Sequence, residues 1–437
     1  MENHVEFAAI LETDSKFAMK YISRAIEPHL EMLVRTNKAV LVTGARQVGK
    51  STLLRHRFPE RRYVSLDDPF LEEQARSDGG MFLDLNAPPV TLDEVQRAPT
   101  LFRFLKMRCD ETDGAGLFLL TGSQPFHLMR DASESMSGRL AVLELGGLSL
   151  RERRGDPFAE RFLPTPDYVR RRTGTARAPA NLWAAIHRGS FPALLDPARD
   201  WAAFHADYLK TYVERDVRQL SAVQDLAAFR RFVVATAART GQMLNYSNIA
   251  DEIGKDVGTV RGWMSLLEAS GLVALLEPFA SSALKRAIKT PKLYFLDPGL
   301  AADLGRGLTP EALASGAIAG HLFETFAVGE IVKSFANAGL DWRHHLSYYR
   351  GRDRRKTTRG GIEREIEGEI DLVIEENGVL HPVEIKLGAN PSADAAAAFP
   401  VLDAVPDRRR GAGAILCTCP QPGVLRDNLL ALPIWYV

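Results

Sequence analysis

The chain has 437 residues, which at roughly 150 residues per domain predicts two to four domains, with three as the central expectation. It is 46% hydrophobic and 25% charged, and its 55 basic and 55 acidic side chains cancel, so any surface that binds nucleic acid must be local. No secretory signal or apolar run of about 18 residues is visible and the three cysteines lack C-x-x-C spacing, so we expect a cytoplasmic protein without a disulfide framework, zinc ribbon or membrane partner.

The first predicted element is a helix from Phe17 to Thr36, which follows a frayed stretch at Met1–Lys16. Residues 1–20 are treated as a lead-in to the first domain. Apolar residues recur in it at helical spacing: Ile22, Ile26, Leu30 and Leu33. Arg24 is interpreted as an exposed arginine of this helix. The alternative is that Arg24 lies near the ligand of the loop that follows.

A glycine-rich loop comes next, between a short apolar strand at Ala39–Val42 and a segment that favours a helix. It fits the pattern G-x-x-x-x-G-K-[ST], in which backbone N–H groups and a helix N-terminus face a polyphosphate. Lys50 is expected to reach the β- and γ-phosphates, and Ser51 to offer its hydroxyl to Mg²⁺. The predicted phosphate-binding residues are Gly44, Ala45, Arg46, Gln47, Val48, Gly49, Lys50, Ser51 and Thr52.

A second apolar strand, Pro89–Leu92, ends in two carboxylates. We expect Asp93 to hold the Mg²⁺ through water and Glu94 to orient or deprotonate the attacking water. The alternative is a surface Asp-Glu turn after an edge strand. The order of loop and strand favours the catalytic interpretation.

Further strands are predicted at Arg61–Leu66 and Gly116–Leu120, with a helix through Leu101, Leu105 and Arg108. Strand–loop–helix units repeated over about 130 residues indicate a parallel α/β sheet. Residues 21–150 are therefore predicted to form the first domain.

Two more polar residues are candidates for this site. Ser123, after the third strand, is predicted to sense the γ-phosphate or hold the water, the alternative being a plain Gly-Ser turn. Arg139 is predicted to act as an arginine finger, in cis or from a neighbouring subunit, the alternative being an ordinary surface arginine.

These motifs resemble the AAA-type P-loop ATPases that carry a C-terminal domain of unknown function, DUF4143. The resemblance covers nearly the whole chain after about Phe17 and is carried by Thr43–Lys50, Leu92–Gln96, Leu120–Ser123, Ser137–Arg139, Arg188–Pro192 and Lys289–Phe295. The family usually has Thr after the loop lysine, and Ser51 keeps the hydroxyl. The resemblance implies ATP binding and an AAA-like core, but no particular cellular role.

Residues 151–180 are rich in arginine, proline and glycine and are predicted to be a basic linker or domain boundary. The arginines concerned are Arg151, Arg153, Arg154, Arg170, Arg171 and Arg172. A solvated face is the preferred interpretation, and contact with a phosphate backbone is the alternative.

Residues 181–305 are predicted to form a helical domain with a winged helix-turn-helix. After helical sequence at Ala206–Gly241, a helix ends at Gly254, a second spans Val257–Ser270, and strands follow at Leu272–Leu276 and Lys292–Leu296. Lys285, Arg286 and Lys289 between the strands form a basic wing that would rest on phosphates. Non-specific DNA binding and plain interdomain packing remain alternatives, because the second helix offers few side chains that read bases.

Residues 306–437 are predicted to form an α/β restriction-endonuclease-like domain. Glu324 lies on the apolar stripe of a helix at Ala319–Ala338, and Glu369–Ile374 and Pro382–Leu387 alternate like strands. In this pattern Ile370, Leu372 and Ile374 face one way and Asp371 the other.

The Asp371 strand followed by Glu384-x-Lys386 resembles the PD-(D/E)XK nuclease fold, although Ile370 replaces the usual proline. The resemblance implies that Asp371 and Glu384 ligate Mg²⁺, that Glu324 completes the metal shell, and that Lys386 lowers the pKa of the attacking water. A common exposed Glu-x-Lys strand is the alternative. A basic loop precedes these strands and would guide nucleic acid: Arg350, Arg352, Arg354, Arg355, Lys356, Arg359 and Arg364.

The sequence as a whole predicts Mg²⁺-dependent ATP hydrolysis coupled to binding or processing of nucleic acid, with DNA as the expected polymer and nuclease activity left open. The alternative is an ATP-driven switch that binds a protein partner, with a catalytically silent nuclease-like domain. A homo-oligomer is compatible with both. Cys417 and Cys419, on a strand at Gly413–Cys419, are expected to be structural, and Leu432–Val437 to be a last strand.

Overall fold

The computed structural model of the protein describes residues 21–122, 136–212, 223, 225–279, 290–356 and 363–437. In these ranges no helix has the length and apolar character needed to cross a bilayer. Besides the helices and strands named below, short 3₁₀ helices lie at Val95–Arg97, Pro192–Leu195, Trp342–His344, Ala393–Ala396, Phe399–Ala404 and Ile434–Tyr436.

The first part of the chain forms a parallel sheet with its strands in the order 2-3-4-1-5. The strands are β1 (Ala39–Thr43), β2 (Arg62–Ser65), β3 (Val90–Asp93), β4 (Phe118–Thr121) and β5 (Leu140–Glu144). Both faces of β1 are buried, with Val40 and Val42 in one core cluster and Ala39 and Leu41 in another. A strand buried on both faces needs a continuous apolar run, which β1 has. The predicted parallel α/β sheet is confirmed.

Five helices cover this sheet: α1 (Glu27–Thr36), α2 (Lys50–Arg57), α3 (Pro69–Ser77), α4 (Gly79–Leu85) and α5 (Leu101–Glu111). Helix α1 is shorter than predicted, because residues 21–26 are not helical and Pro28 lies in the first turn. Proline is favoured at that position and disrupts a helix interior. The rest of the predicted start, from Phe17, lies outside the described residues.

The segment predicted as an exposed basic linker is packed. It contains α6 (Leu150–Arg153) and α7 (Pro166–Thr173), and the side chains of Arg151 and Arg172 are buried. Arg151 Nε donates to Val437 O at 2.8 Å, and Arg172 Nη1 pairs with Asp156 at 2.6 Å. The solvated interpretation is therefore wrong for these two arginines, since each bonds partners that the folded chain supplies.

The middle region contains α8 (Leu182–Arg188), α9 (Trp201–Thr211), α10 (Leu226–Ala237), α11 (Tyr246–Ile253), α12 (Val257–Ala269), α13 (Pro298–Leu304) and α14 (Pro310–Ser315). An antiparallel sheet packs with these helices and has the order β6-β8-β7, formed by β6 (Gln242–Met243), β7 (Val273–Leu276) and β8 (Lys292–Phe295). The two predicted helices and the two predicted strands lie where the sequence placed them, within two residues at each end. Strand β6 was not predicted, since two residues carry too little periodicity to be recognised.

The last part packs helix α15 (Ala319–Asn337) against a mixed sheet. The strands are β9 (Leu346–Lys356), β10 (Glu363–Glu376), β11 (Val379–Ile385), β12 (Arg409–Arg410), β13 (Gly413–Cys417), β14 (Gly423–Arg426) and β15 (Leu429–Pro433). Strands β9, β10 and β11 form an antiparallel meander, and β13 then joins β11 in parallel. The predicted last strand instead ends at Pro433, and a 3₁₀ helix follows it.

A register shift interrupts β10 between Ile370 and Val373. Ile370 and Val373 belong to one core cluster, whereas Leu372 and Ile374 belong to another. The predicted regular alternation is therefore wrong here. A bulge adds one residue to a strand and so reverses the faces beyond it.

Candidate functional site

The phosphate-binding loop lies at the carboxyl end of β1, and α2 begins at Lys50. Gly44 and Gly49 have φ values of 138° and 95°, a region that favours glycine. A Cβ built on Gly44 would lie 2.2 Å from the carbonyl oxygen of Leu145. Both glycines of the motif are thus required by the shape of this loop.

The side chains predicted to act on the phosphates and Mg²⁺ are gathered at one point. The Lys50 ammonium is buried and donates to the carbonyl oxygens of Gly44 at 3.0 Å and Ala45 at 2.9 Å. The Ser51 hydroxyl donates to Asp93 Oδ1 at 2.7 Å, and Thr121 also donates to that oxygen. A hydroxyl and a carboxylate in contact fit Mg²⁺, which prefers oxygen ligands and keeps several waters.

Glu94, the residue after Asp93, has a left-handed backbone conformation with a φ of 57°. Its backbone N–H donates to Thr121 Oγ1 at 3.1 Å, and its carboxylate accepts from Gln96. A non-glycine residue with positive φ persists only where its surroundings fix it, and such residues cluster at functional sites. The sequence predicted the residue but not this conformation.

Arg24 lies beside the phosphate-binding loop, in agreement with the alternative interpretation of this residue and not with the preferred one. Its side chain is 4% exposed and pairs with Glu152 at 3.0 Å, while Nη1 donates to Val48 O of the phosphate-binding loop at 3.0 Å. Burial of Glu152 opposes its charge, but Arg24 and backbone N–H groups outweigh burial and lower the pKa of Glu152. The expectation of an exposed arginine is wrong, because the partner lies far away in sequence.

A cleft of about 730 Å³, which includes space open to solvent, adjoins the phosphate-binding loop. It is lined by residues from all three parts of the chain, among them Ala45, Val48, Phe191, Gly271, Lys333 and Trp342. Lys333 in turn pairs with Glu330 at 2.5 Å and donates to Leu148 O at 3.2 Å. The wall of this cleft therefore combines the first domain with the middle region and α15.

The two remaining candidates of this site have different outcomes. Ser123 lies outside the described residues. Arg139 pairs with Asp110, and its carbonyl accepts from the N–H of Ala39 at the start of β1. Because the phosphate-binding loop follows the opposite end of β1, the expectation that Arg139 acts in cis is wrong. A role in trans stays a prediction.

The carboxylates predicted to bind metal in the last domain contact lysines instead. Lys292 Nζ lies 2.9 Å from Glu324 Oε1 and 3.3 Å from Asp371 Oδ1. Lys386 Nζ lies 2.6 Å from Glu384 Oε1 and 3.7 Å from Asp371 Oδ2. In the described part of the chain no three His, Cys, Asp or Glu side chains are grouped to hold a metal. The predicted set of Glu324, Asp371 and Glu384 does not fit a divalent cation in this arrangement.

Burial governs the electrostatics of this cluster. It raises the pKa of Glu324 to about 7, with the charge of Asp371 adding to the shift and Lys292 opposing it. It raises the pKa of Glu384 to about 8, again with Asp371 adding and Lys386 opposing. Burial opposes the charge of Lys292, but Tyr294 and the three carboxylates outweigh it, so the pKa of Lys292 lies above its usual value. Glu384 is buried, so the alternative of a common exposed Glu-x-Lys strand is wrong for this residue.

The predicted nucleic-acid surfaces are only partly described. The basic wing with Lys285, Arg286 and Lys289 lies outside the described residues, as does Arg359. Strand pairing places an acidic residue opposite most bases of the basic loop, namely Glu369 with Arg350, Glu367 with Arg352, Glu365 with Arg354 and Glu363 with Lys356. The strand paired with the predicted basic loop therefore carries four acidic residues of its own.

Comparison with known proteins agrees with the first and last domains. A family model described as "AAA domain" matches residues 36–153, and two described as domains of unknown function match residues 180–312 (DUF8612) and 319–437 (DUF4143). The "Uncharacterized protein Rv2008c" of Mycobacterium tuberculosis and "Uncharacterized protein Mb2031c" of Mycobacterium bovis are each 29% identical over 81% of this chain and 71% of theirs.

Solved structures give weaker similarity. The Walker-type ATPase PABY2304 of Pyrococcus abyssi is 15% identical over 64% of this chain and 94% of its own, with a TM-score of 0.39. AMPPCP-bound DnaA from Aquifex aeolicus is 13% identical over 56% of this chain and 85% of its own, with a TM-score of 0.27. Superpositions this loose carry no argument about the present chain. The family matches and the loop geometry lead to one conclusion: the chain carries an AAA domain of the P-loop type, followed by a middle domain and a C-terminal DUF4143 domain.

Proposed function

We propose that the chain binds ATP with Mg²⁺ and hydrolyses it at the phosphate-binding loop. The observation that carries this proposal is the contact between Ser51 and Asp93, which joins the two predicted Mg²⁺ ligands from separate motifs at 2.7 Å. Mg²⁺ when bound would neutralise charge on the phosphates. The AAA domain that the chain carries supports the same activity.

The remaining residues of the site have separable tasks. Lys50, which now donates to the carbonyls of its own loop, is placed to exchange those partners for phosphate oxygens. The N–H groups of the loop and the N-terminus of α2 favour an anion. Glu94 orients the attacking water from the end of β3, where Thr121 fixes its backbone.

We further infer that nucleotide binding is communicated to the other two domains. The cleft beside the loop supports this, because Gly271 of the middle domain and Lys333 and Trp342 of the last domain share its wall with Ala45 and Val48. A ligand that binds one arrangement of a shared cleft more tightly than another shifts the equilibrium between them. This is the ATP-driven switch, and it needs no nuclease activity.

Variants of the loop and of β3 test ATP hydrolysis. Lys50→Ala should abolish ATP binding, whereas Glu94→Gln should keep binding and lose about 100-fold or more of turnover, since it removes a group that acts in the transition state. Binding is measured with a fluorescent ATP analogue and turnover by phosphate release. Lys106→Ala, on an exposed position of α5, is the matched control and should behave as wild type. Equal turnover in Glu94→Gln and wild type would contradict the assigned role.

A second candidate function is binding of nucleic acid. It is supported by the order of α10, α11, α12, β7 and β8, which matches a winged helix, and by α15, β9, β10, β11 and β13, which follow the order of a nuclease-like core. The acidic strand opposite the basic loop weakens it. Stimulation of the ATPase by DNA, lost steeply as salt rises, would favour this function. Turnover unchanged by DNA would favour the switch.

A further inference from the structure

Lys292 links the middle domain to the acidic cluster of the last domain. It is the first residue of β8, and its side chain is only 4% exposed. The ammonium lies 2.6 Å from Glu369 Oε1, 2.9 Å from Glu324 Oε1 and 3.3 Å from Asp371 Oδ1. One cation thus contacts a carboxylate of α15 and two carboxylates of β10, one just before the bulge and one within it.

Burial is energetically costly for the Lys292 ammonium and for the carboxylates unless they pair with each other. An ammonium that is removed from water needs several close acceptors, and buried carboxylates need a cation. The ring of Tyr348 adds a weaker contact, 5.7 Å from the ammonium. The three carboxylates are hard oxygen ligands of the kind that divalent metals prefer. The Lys292 ammonium therefore occupies the position that a metal between Glu324 and Asp371 would take, and its positive charge would repel that metal.

The second oxygen of Asp371 is engaged as well. Asp371 Oδ2 accepts from the backbone N–H of Ile385 at 2.9 Å and lies 3.7 Å from Lys386 Nζ. Glu384 uses Oε1 for Lys386, and its buried Oε2 has no hydrogen-bond partner among the residues that the structure describes. Both oxygens of Asp371, the central ligand of the predicted metal set, thus already have partners within the chain.

We propose that Lys292 is an internal cation that takes the place of a divalent metal in the last domain, and that this domain therefore does not cleave phosphodiester bonds. The acidic cluster instead fastens β8 of the middle domain to α15 and β10. This inference goes beyond ATP hydrolysis and does not depend on it, because the cluster consists of residues of the middle and last domains and can be tested without nucleotide.

Binding of Mn²⁺ without nucleotide tests the proposal, with free Mn²⁺ followed by electron paramagnetic resonance. Wild type and Asp371→Asn should bind the same amount, since the Ser51–Asp93 pair is common to both. Lys292→Met keeps the chain length but removes the charge, and should gain one site with about tenfold or more tighter Mn²⁺ binding than wild type. The gain should be lost in Lys292→Met/Asp371→Asn.

Two comparisons keep the test decisive. Lys292→Arg retains a cation and should gain no site, which separates charge from a general loosening of the fold. If Lys292→Met fails to fold, the comparison of wild type with Asp371→Asn still tests the proposal. An Mn²⁺ site that is present in wild type and lost in Asp371→Asn would overturn it. A folded Lys292→Met that gains no site overturns it too.

Cleavage of DNA gives an independent readout on the full chain. With Mg²⁺ or Mn²⁺, with or without ATP, wild type should show no cutting of single- or double-stranded DNA that depends on Asp371. Cutting by wild type that disappears in Asp371→Ala would overturn the proposal.

Discussion

Glu324 and Glu384 illustrate how burial sets the chemistry of single residues in this protein. Glu384 is buried and the Glu324 side chain is only 12% exposed, each has a lysine partner, and the nearby charge of Asp371 acts on both. Burial is the largest cause in both cases and raises their pKa values from 4.5 to about 7 and about 8. Both carboxyls therefore take up protons on folding in a pH range where free glutamates are ionised.

The sign of the resulting pH dependence follows from linkage. Between pH 4.5 and about 8 the folded state binds more protons than the unfolded state, so the free energy of unfolding should fall as pH rises through this window. Urea midpoints at pH 5, 6.5 and 8 measure it. Glu384→Gln, which mimics the protonated form, should flatten the slope, whereas the exposed Glu111→Gln should not. Identical slopes for wild type and Glu384→Gln would refute this account.

Among the elements, the phosphate-binding loop is the one most tightly constrained by its backbone. Gly44→Ala combines a positive φ with a Cβ 2.2 Å from Leu145 O, and should cost about 2 kcal/mol or more of stability and weaken ATP binding. Gly114→Ala shares the positive φ but meets open space, so it should cost only about 1 kcal/mol. Urea unfolding and ATP titration of the two variants compare these costs. Equal losses in both would mean that the close approach of Gly44 to Leu145, the residue after β5, does not matter.

Strand β10 shows how a local irregularity places a functional candidate. The bulge between Ile370 and Val373 reverses the faces of the strand beside Asp371. Asp371 consequently accepts from the N–H of Ile385 on β11 while also facing Lys292 of β8. Side chains alternate strictly along a regular strand, so the bulge changes which residues of β10 face each side of the sheet.

At the scale of the whole molecule, Glu330 of α15 joins the last domain to the first. Its carboxylate accepts from the N–H of Leu150 at 2.8 Å and pairs with Lys333, and all three groups are buried. Glu330→Ala should lower the free energy of unfolding by about 3–5 kcal/mol, because it leaves a buried charge unpaired. The exposed pair of Glu160 and Arg171 is the control, and Glu160→Ala should cost about 0–1 kcal/mol.

Chemical denaturation of both variants, followed by circular dichroism, measures the difference. A loss below 1 kcal/mol for Glu330→Ala would show that this contact does not hold the domains together. Glu330→Gln retains an acceptor for Leu150 and should be intermediate. The comparison therefore separates the hydrogen bond from the charge.

The predictable features were those encoded by short stretches of chain. The pattern from Gly44 to Ser51 and the apolar strand that ends at Asp93 predicted the loop, the proximity of Ser51 to Asp93 and the parallel sheet. Boundaries were less accurate, since Pro28 shortens α1 and Pro433 ends β15. Irregularities such as the β10 bulge leave no periodic signal and were missed.

The sequence by itself determined the AAA domain, because its residues lie at fixed spacings within one strand–loop–helix unit and one following strand. Only the tertiary structure decided which isolated charged side chains are buried and which residues they pair with. Arg24 finds Glu152 at a separation of 128 residues, and Lys292 finds Asp371 at 79. Whether a charged side chain is solvated or buried depends on such distant partners, and local sequence carries no record of them.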